Sequence, residues 1–197
     1  MVREVTFKVY KFEELSDEVK EKVLDDNRYI LVEDYTWWDF IYDGAEEIGI
    51  EIEELDLDRR YIKIRLNTSV LSSVEWAMKY FGECTEEYKL VKSYYDEIMK
   101  LDSSKEVKEY LEEYPEADPY DAIYDLGLSD VFYDEYVEDM KRIFLRALKN
   151  EFNYLTSDEA IIEYFNDNNY EFFENGKILL LSLKYFSDKN KGGWLKW

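Results

Sequence analysis

The chain has 197 residues, enough for one sizeable hydrophobic core or two small ones. It carries 25 Lys and Arg against 47 Asp and Glu, and the net charge of -22 argues against direct binding of nucleic acid or of an anionic membrane surface. The absence of His and the single Cys exclude imidazole catalysis, a His-ligated zinc site and an intrachain disulfide. Because 19 Tyr, 11 Phe and 5 Trp are far too many aromatic residues for a disordered acidic chain, we predict a folded protein.

The first third of the chain predicts a strand, two helices and a hairpin. Val5, Phe7 and Val9 alternate with polar residues, which is typical of a half-buried strand. Ser16 is placed to cap the first helix, and Gly49 to end the second. The expected elements are a strand at 2–12, helices at about 17–31 and 34–48, and antiparallel strands at 50–57 and 61–66.

The middle of the chain is helical almost throughout. Thr85 is followed by two acids, Ser103 has Glu106 three residues on in capping-box register, and Pro115 and Pro119 separate consecutive helices. The longest pattern carries apolar residues at helical spacing and predicts a central packing element. The helices are expected at about 69–81, 85–101, 104–113, 119–126, 130–155 and 157–168.

The chain ends with a second hairpin signature. Residues 170–173 and 177–186 flank the turn dipeptide Asn175-Gly176. We therefore predict an α+β fold, with an antiparallel sheet built from the N- and C-terminal strands and an inserted helical lobe. The chain is treated as a single domain, 1–197, with parts at 1–67, 68–168 and 169–197. The basic tail 189–197, with its two tryptophans, either packs back onto the body or forms a partner contact or dimer clasp.

The sequence also indicates where the protein works. Its N-terminus lacks the apolar core of a signal peptide, and its longest apolar run, Ile178 to Leu181, is far shorter than the ~18 residues of a membrane span. We expect a soluble protein of the cytoplasm that does not contact membranes.

The whole excess of negative charge lies in two stretches. Between residues 29 and 58 there are eleven acids and no Lys or Arg, which we call the first acidic block. Between residues 109 and 140 there are twelve acids and no base, which we call the second acidic block. The rest of the chain carries a net charge of +1.

On the second predicted helix, acidic and apolar residues occupy opposite faces. Carboxylates three or four positions apart repel by a few tenths of a kcal/mol per pair, so stability alone would favour interspersed Lys. The apolar face holds Trp38, Ile41, Ala45 and Ile48, and the acidic face holds Asp39, Asp43, Glu46 and Glu47. This acidic face is a candidate partner-binding surface.

The second block admits two explanations. At the start of the longest helix, acids also complement the helix dipole, with bases following at its other end. Six tyrosines interleave with the block; most are expected in the core, but Tyr at an acidic edge would suit a basic, Arg-rich partner. The candidate partner-binding residues across both blocks are Asp34, Asp39, Asp43, Glu46, Glu47, Glu112, Glu113, Glu116, Asp118, Tyr120, Asp121, Tyr124, Asp125, Asp134, Glu135 and Glu138.

Enzyme signatures are weak. Asp56-x-Asp58 is followed by Arg60 and Tyr61, which fails the calcium-loop pattern. There is no Gly-rich phosphate loop and no G-x-S-x-G motif, and among so many acids no carboxylate pair stands out as a glycosidase site. We therefore predict a protein that is not an enzyme, with no catalytic residue, metal ligand or cofactor; a carboxylate-metal enzyme is the least favoured alternative.

Several motifs between residues 5 and 66 carry a family resemblance. They are Val9-Tyr10-Lys11-Phe12-Glu13-Glu14-Leu15-Ser16, Trp37-Trp38-Asp39, Glu47-Ile48-Gly49-Ile50 and Leu55-Asp56-Leu57-Asp58-Arg59. This part of the chain resembles an uncharacterised family of small proteins frequent in bacteriophage and mobile-element genomes. The resemblance implies a phage setting and no activity, and in that setting small acidic inhibitors of host defence occur.

The sequence thus predicts a phage-encoded inhibitor of a host defence nucleoprotein, such as a CRISPR effector or a nuclease. Its acidic faces would occupy the partner's basic nucleic-acid-binding surface in the host cytoplasm, with carboxylates in place of phosphates. The alternative is an antitoxin-like or regulatory module that neutralises one basic partner. Either function is compatible with a homo-oligomer.

Overall fold

The structure, a computed structural model, describes residues 6–33 and 36–179. Within this part the chain is mostly helical, with a single two-stranded antiparallel sheet, so the predicted α+β class is confirmed. The helices are α1 (Asp17–Asp26), α2 (Asp39–Glu47), α3 (Val70–Tyr80), α4 (Glu86–Met99), α5 (Lys105–Glu113), α6 (Pro119–Asp125), α7 (Tyr133–Leu155) and α8 (Asp158–Asp167). The strands are β1 (Ile50–Asp56) and β2 (Tyr61–Leu66).

The chain forms two compact units. Unit 1 comprises residues 1–36 and 151–197, and unit 2 comprises residues 37–150. The single domain with three consecutive parts stays a prediction, and each unit is described by itself below.

Unit 2 is built around the hairpin, helices α2 to α6 and most of α7. In β2 the burial alternates, with Ile62, Ile64 and Leu66 facing the core. Ile50 pairs with Leu66 in the antiparallel register, and a bulge interrupts the ladder after Ile52. The apolar stripe of α7 completes this core, as expected for a central packing element, through Tyr136, Val137, Met140, Ile143, Phe144 and Leu148.

Two linked hydrogen bonds cross the buried core of unit 2. The hydroxyl of Ser73 donates to the carbonyl of Ile48, with an O–O distance of 2.6 Å. The hydroxyl of Tyr136 lies 3.0 Å from the same Ser73 oxygen. Because the single Ser73 proton is used on Ile48, Tyr136 donates to Ser73. These hydrogen bonds connect α3 and α7 to the C-terminal end of α2.

Unit 1 has its own small core, and its termini pair only briefly. Tyr10 and Phe172 exchange two backbone hydrogen bonds of 2.9 Å in an isolated antiparallel bridge. The rings of Phe12, Phe165 and Phe172 pack together beneath it, with 5.1 Å between the Phe165 and Phe172 centroids. The core residues are Phe12, Leu15, Val23, Leu24, Ile161, Phe165 and Phe172.

The predicted N-terminal strand is corrected within the described residues. Beyond the bridge at Tyr10 no ladder forms between 6 and 12, and Phe7 and Val9 are exposed rather than half-buried. The chain turns because Phe12 opens a 3-10 helix, in which the Glu14 carboxylate accepts the Lys11 amide at 2.8 Å. Among the described residues, the regular sheet is therefore the β1–β2 hairpin of unit 2, and the terminal segments pair only through the isolated antiparallel bridges of Phe172 with Tyr10 and with Ile178. Residues 2–5 lie outside the described part.

The C-terminal hairpin is confirmed as far as the structure describes it. The Phe173 amide donates to the Lys177 carbonyl at 2.8 Å, and the Leu179 amide donates to the Glu171 carbonyl at 2.7 Å. Gly176 supplies the turn with its φ of +82°, which side-chain-bearing residues rarely adopt. Residues 180–186 of the predicted strand and the basic tail 189–197 lie outside the described residues.

The helix boundaries differ from the predicted ones at several ends. The first helix stops at Asp26 instead of near 31, and Ser16 precedes it without making a side-chain cap bond. The cap of α5 is Ser104 rather than Ser103, because Ser103 belongs to a 3-10 helix that ends there. The second helix begins at Asp39, later than predicted. The longest begins at Tyr133, because 128–132 form a 3-10 helix.

Candidate functional site

The four candidate acids of α2 are exposed together. The opposite face of the helix is buried, with Ile41 at 4 % exposure and Ala45 and Ile48 at 0 %. Trp38 is half-buried at the N-cap. Within 6–33 and 36–179, no Lys or Arg forms an ion pair with any of the acidic residues Asp39, Asp43, Glu46 and Glu47. The fifth candidate of this block, Asp34, lies outside the described residues.

Three of the five first-block acids on the hairpin, Glu51, Glu53 and Asp56, are paired with nearby bases. Glu53 lies 2.8 Å from the Lys63 ammonium and 3.1 Å from the Arg65 guanidinium, and Glu51 also pairs with Arg65. The hydrogen bond from Lys63 lowers the pKa of Glu53. Most of the block's acids without an ion pair among the described residues therefore lie on α2, and the others are Glu33, Glu54 and Asp58.

In the second block, part of the charge serves the fold. Asp118 caps α6 by accepting the Asp121 amide at 3.0 Å, and Asp121 accepts the Asp118 amide at 3.2 Å in return. Asp125 accepts a hydrogen bond from Tyr110, and this bond raises the pKa of Tyr110 to about 12. These three carboxylates are exposed, yet each has an intramolecular role.

The acids around the end of α5 have no such role among the described residues. Glu112, Glu113 and Glu116 are exposed and form no ion pair within the described part of the chain. Because α5 packs against α6, these acids and the capping acids of α6 share one corner of unit 2. We call this region, from Glu112 to Asp125, the α5–α6 corner.

The tyrosines of the second block divide by depth. Tyr114 and Tyr124 are 49 % and 48 % exposed. Tyr120 is half-buried and donates to Glu75 at 2.9 Å, and burial raises its pKa to about 12. Tyr136 is fully buried. Of the two tyrosines proposed for partner binding, Tyr124 is thus available at the surface, whereas the hydroxyl of Tyr120 is engaged within unit 2.

At the start of α7 the acids suit the helix itself. Asp134 and Glu135 are exposed in the first turn, where the dipole favours negative charge. Glu138 lies 2.6 Å from Lys141, whose hydrogen bond lowers the pKa of Glu138. This pairing supports the helix-dipole and charge-compensation interpretation for α7.

Negative charge concentrates in unit 2. Its sequence range contains 29 acids and 14 bases, a net charge of -15, against -7 for unit 1. In the described residues, no three acidic or Cys side chains gather as a metal site, and no helix is long and apolar enough to cross a membrane.

One surface feature was not predicted from the sequence. Trp76 and Tyr80, one turn apart on α3, lie over the glycines of α2 and its C-terminal end. A Cβ on Gly44 would lie 2.5 Å from the Tyr80 hydroxyl oxygen, and one on Gly49 would lie 2.8 Å from Trp76 Cζ3. The sequence does show Trp76 and Tyr80 four positions apart and Gly44 and Gly49 five apart. Only the packing of α2 on α3 brings the two pairs together.

Comparison with known proteins adds no relative. No protein-family model, curated protein or solved structure matches this chain. The candidate site therefore rests on its residues and their geometry.

Proposed function

We propose that this protein is a phage-encoded, non-enzymatic inhibitor that binds the basic nucleic-acid-binding surface of a host defence nucleoprotein, such as a CRISPR effector or nuclease, in the host cytoplasm. It acts without a cofactor, its carboxylates taking the place of DNA or RNA phosphates. The supporting observation is the α2 face, where Asp39, Asp43, Glu46 and Glu47 stand exposed and without an ion pair among the described residues.

The charge density of α2 resembles that of a nucleic-acid strand. From Asp39 to Glu47 the helix axis advances ~12 Å at ~1.5 Å per residue. Four carboxylates over this length amount to one charge per ~3 to 4 Å, close to the ~3.4 Å per phosphate along one DNA strand. A rigid helix with a buried opposite face presents these charges without the ordering cost of a flexible acidic tail.

Elsewhere in unit 2, acids do pair with bases one turn away on the same helix. Short-range ion pairs join Glu86 with Lys89 at 2.6 Å and Asp96 with Lys92 at 2.7 Å on α4. On α2 no base is present at all. Like-charge neighbours cost a few tenths of a kcal/mol per pair, and binding a basic partner would offset that cost.

The first test neutralises the α2 face. Replacing Asp39 and Asp43 by Asn, and Glu46 and Glu47 by Gln, should leave the stability within about 1 kcal/mol, because none of these side chains faces the core. Affinity for the target nucleoprotein should fall at least ~10-fold. A matched control replaces Glu13, Glu18, Glu21 and Glu83 by Gln, which changes the net charge equally at exposed positions elsewhere that have no ion pair among the described residues. Equal losses in both variants would remove the α2 face from the mechanism.

The second test combines competition and salt. The inhibitor and the target's nucleic acid should exclude each other, and affinity should fall as NaCl rises from about 50 to 200 mM. The fall should be shallower than for DNA, because a protein lacks the condensed counterions whose release steepens the DNA response. A complex that forms equally well on nucleic-acid-loaded target, without salt dependence, would contradict the proposal.

Identifying the bound partner distinguishes the inhibitor proposal from the antitoxin-like alternative. A tagged full-length chain recovered from infected host cells should carry a large nucleoprotein effector if the inhibitor proposal holds. Recovery of one small co-encoded basic toxin would favour the alternative.

A further inference from the structure

Two exposed aromatic side chains of unit 2, Trp76 and Tyr80, pack against glycine residues. Trp76 and Tyr80 are 41 % and 45 % exposed, although large aromatic side chains are usually more buried. The Tyr80 hydroxyl lies against Gly44 and the Cζ3 edge of Trp76 lies against Gly49, so close that a Cβ on either glycine would clash. Tyr80 also packs edge to face on Phe81, with 5.2 Å between the ring centroids. Each side chain thus contacts its glycine through one end or edge, and more than two fifths of its surface stays open to solvent. We call this pair the aromatic shelf.

The shelf borders the acidic face of α2. Phe40 and Glu47 lie four positions before and three positions after Gly44, so they follow the side of the helix on which Tyr80 meets the glycine. Asp43 lies four positions before Glu47, so the two carboxylates are neighbours on the helix surface. Phe40 is itself 42 % exposed, and both acids are exposed. Exposed aromatic rings and exposed carboxylates without an ion pair among the described residues therefore lie on two helices that pack against each other.

We infer that the aromatic shelf binds arginine side chains of the basic partner, the guanidinium stacking on Trp76 and Tyr80 while the carboxylates of Asp43 and Glu47 accept its hydrogen bonds. This inference rests on the proposed function and specifies the partner's chemistry. Arginine fits because its planar group stacks on aromatic faces and still donates at its edge, whereas the lysine ammonium is a compact, strongly hydrated charge.

The charges around the shelf disfavour other occupants. Nucleic-acid bases would bring phosphates against Asp43 and Glu47. A second copy of this chain carries the same net charge of -22, and a purely apolar surface would leave the carboxylates desolvated and unpaired. Lys79 is the only cation of α3 and is exposed between the positions of the two rings, so it should weaken binding of any cationic group.

The test compares two labelled peptides that differ only in having eight Arg or eight Lys at the same spacing. Fluorescence anisotropy with the full chain in 50 mM NaCl should show tighter binding of the Arg peptide, by roughly 2- to 5-fold for each ring engaged. The Trp76→Leu variant, which keeps apolar volume over Gly49, should reduce the preference for Arg while leaving Lys-peptide affinity unchanged. Tyr80→Leu should do the same, and Lys79→Ala should tighten both peptides.

A matched control and the α2 variant separate the outcomes. Tyr61→Leu removes an aromatic ring of equal exposure, 45 %, on β2 and should leave the preference intact. The Asn/Gln replacement of the four α2 acids should weaken both peptides. Equal binding of the two peptides to the wild type, or an Arg preference that survives both shelf variants, would overturn the inference while leaving the proposed function standing. Failure of both peptides to bind the wild type would overturn both.

Discussion

At the scale of single residues, Ser73 connects three elements through one hydroxyl. It is fully buried, donates to the Ile48 carbonyl at the end of α2 and accepts from Tyr136 of α7. A buried polar atom that loses its partner costs ~1 to 3 kcal/mol. Ser73 therefore stabilises the packing of α2, the helix that carries the proposed acidic face, against α3 and α7.

Two substitutions at this site should differ in a defined order. Ser73→Ala leaves both the Ile48 carbonyl and the Tyr136 hydroxyl without a partner, so we expect a loss of about 2 to 4 kcal/mol in the free energy of unfolding. Tyr136→Phe leaves the bond to Ile48 intact and should cost only about 1 kcal/mol. Urea denaturation of both variants measures this, and a Ser73→Ala variant no less stable than Tyr136→Phe would contradict the hydrogen-bond assignment.

At the scale of elements, α6 shows how one acidic stretch can hold two kinds of acid. The helix has only seven residues, too few to be stable without caps and packing. Asp118 and Asp121 cap it reciprocally, and Pro119 occupies its first position. Glu116, two residues before the cap, is exposed and takes no part. Acids of equal charge in the α5–α6 corner thus differ in what they contribute.

Asp118→Ala and Glu116→Gln should separate stability from binding. Asp118→Ala loses the cap of α6, and we expect about 1 kcal/mol less stability in thermal or urea unfolding. Glu116→Gln should change stability by less than about 0.5 kcal/mol. If the α5–α6 corner binds the partner, Glu116→Gln should still lower affinity; a stability loss in Glu116→Gln equal to that in Asp118→Ala would show that the division of roles is wrong.

Most helices were predictable because their signals are local. Thr85, which marks the start of a helix in the sequence, caps α4 by accepting the Tyr88 amide. The strands β1 and β2 lie within a residue or so of their expected limits. The shift from Ser103 to Ser104 and the short first helix were not predictable, because 3-10 turns compete with α-helix at such ends with small energy differences. Residues 6–12 of the predicted N-terminal strand form no ladder for another reason. Alternation shows which residues suit a strand, but a strand also needs a partner along its length.

At the scale of the whole molecule, the titration of several tyrosines makes the stability of the fold depend on pH in the alkaline range. Burial raises the pKa of Tyr136 and of Tyr120 to about 12, the hydrogen bond to Asp125 raises that of Tyr110 to about 12, and burial also raises that of Tyr94. Unfolded tyrosine titrates near 10. The folded protein therefore holds these protons more tightly than the unfolded chain does.

The free energy of unfolding should therefore decrease as the pH rises above ~10. The stabilisation is fully present below pH ~10 and is lost as pH rises from ~10 through 12, because the unfolded chain releases the protons first. We expect unfolding in this range, with tyrosinate absorbance and loss of helical circular dichroism rising together. Tyr136→Phe should show a shallower decline of stability over the same range. Tyrosinate formation near pH 10 with the helical signal intact would contradict this expectation.

The sequence by itself determined the α+β class, the order and approximate limits of most helices, the central hairpin and the exposure of the α2 acids, because each depends on periodicity and on contacts between near neighbours. Only the tertiary structure decided which acids are free. Lys63 and Arg65 reach Glu53 across the hairpin, Tyr110 reaches Asp125 from another helix, and Trp76 lies over Gly49. These contacts depend on the packing of separate elements, whose geometry no local pattern encodes.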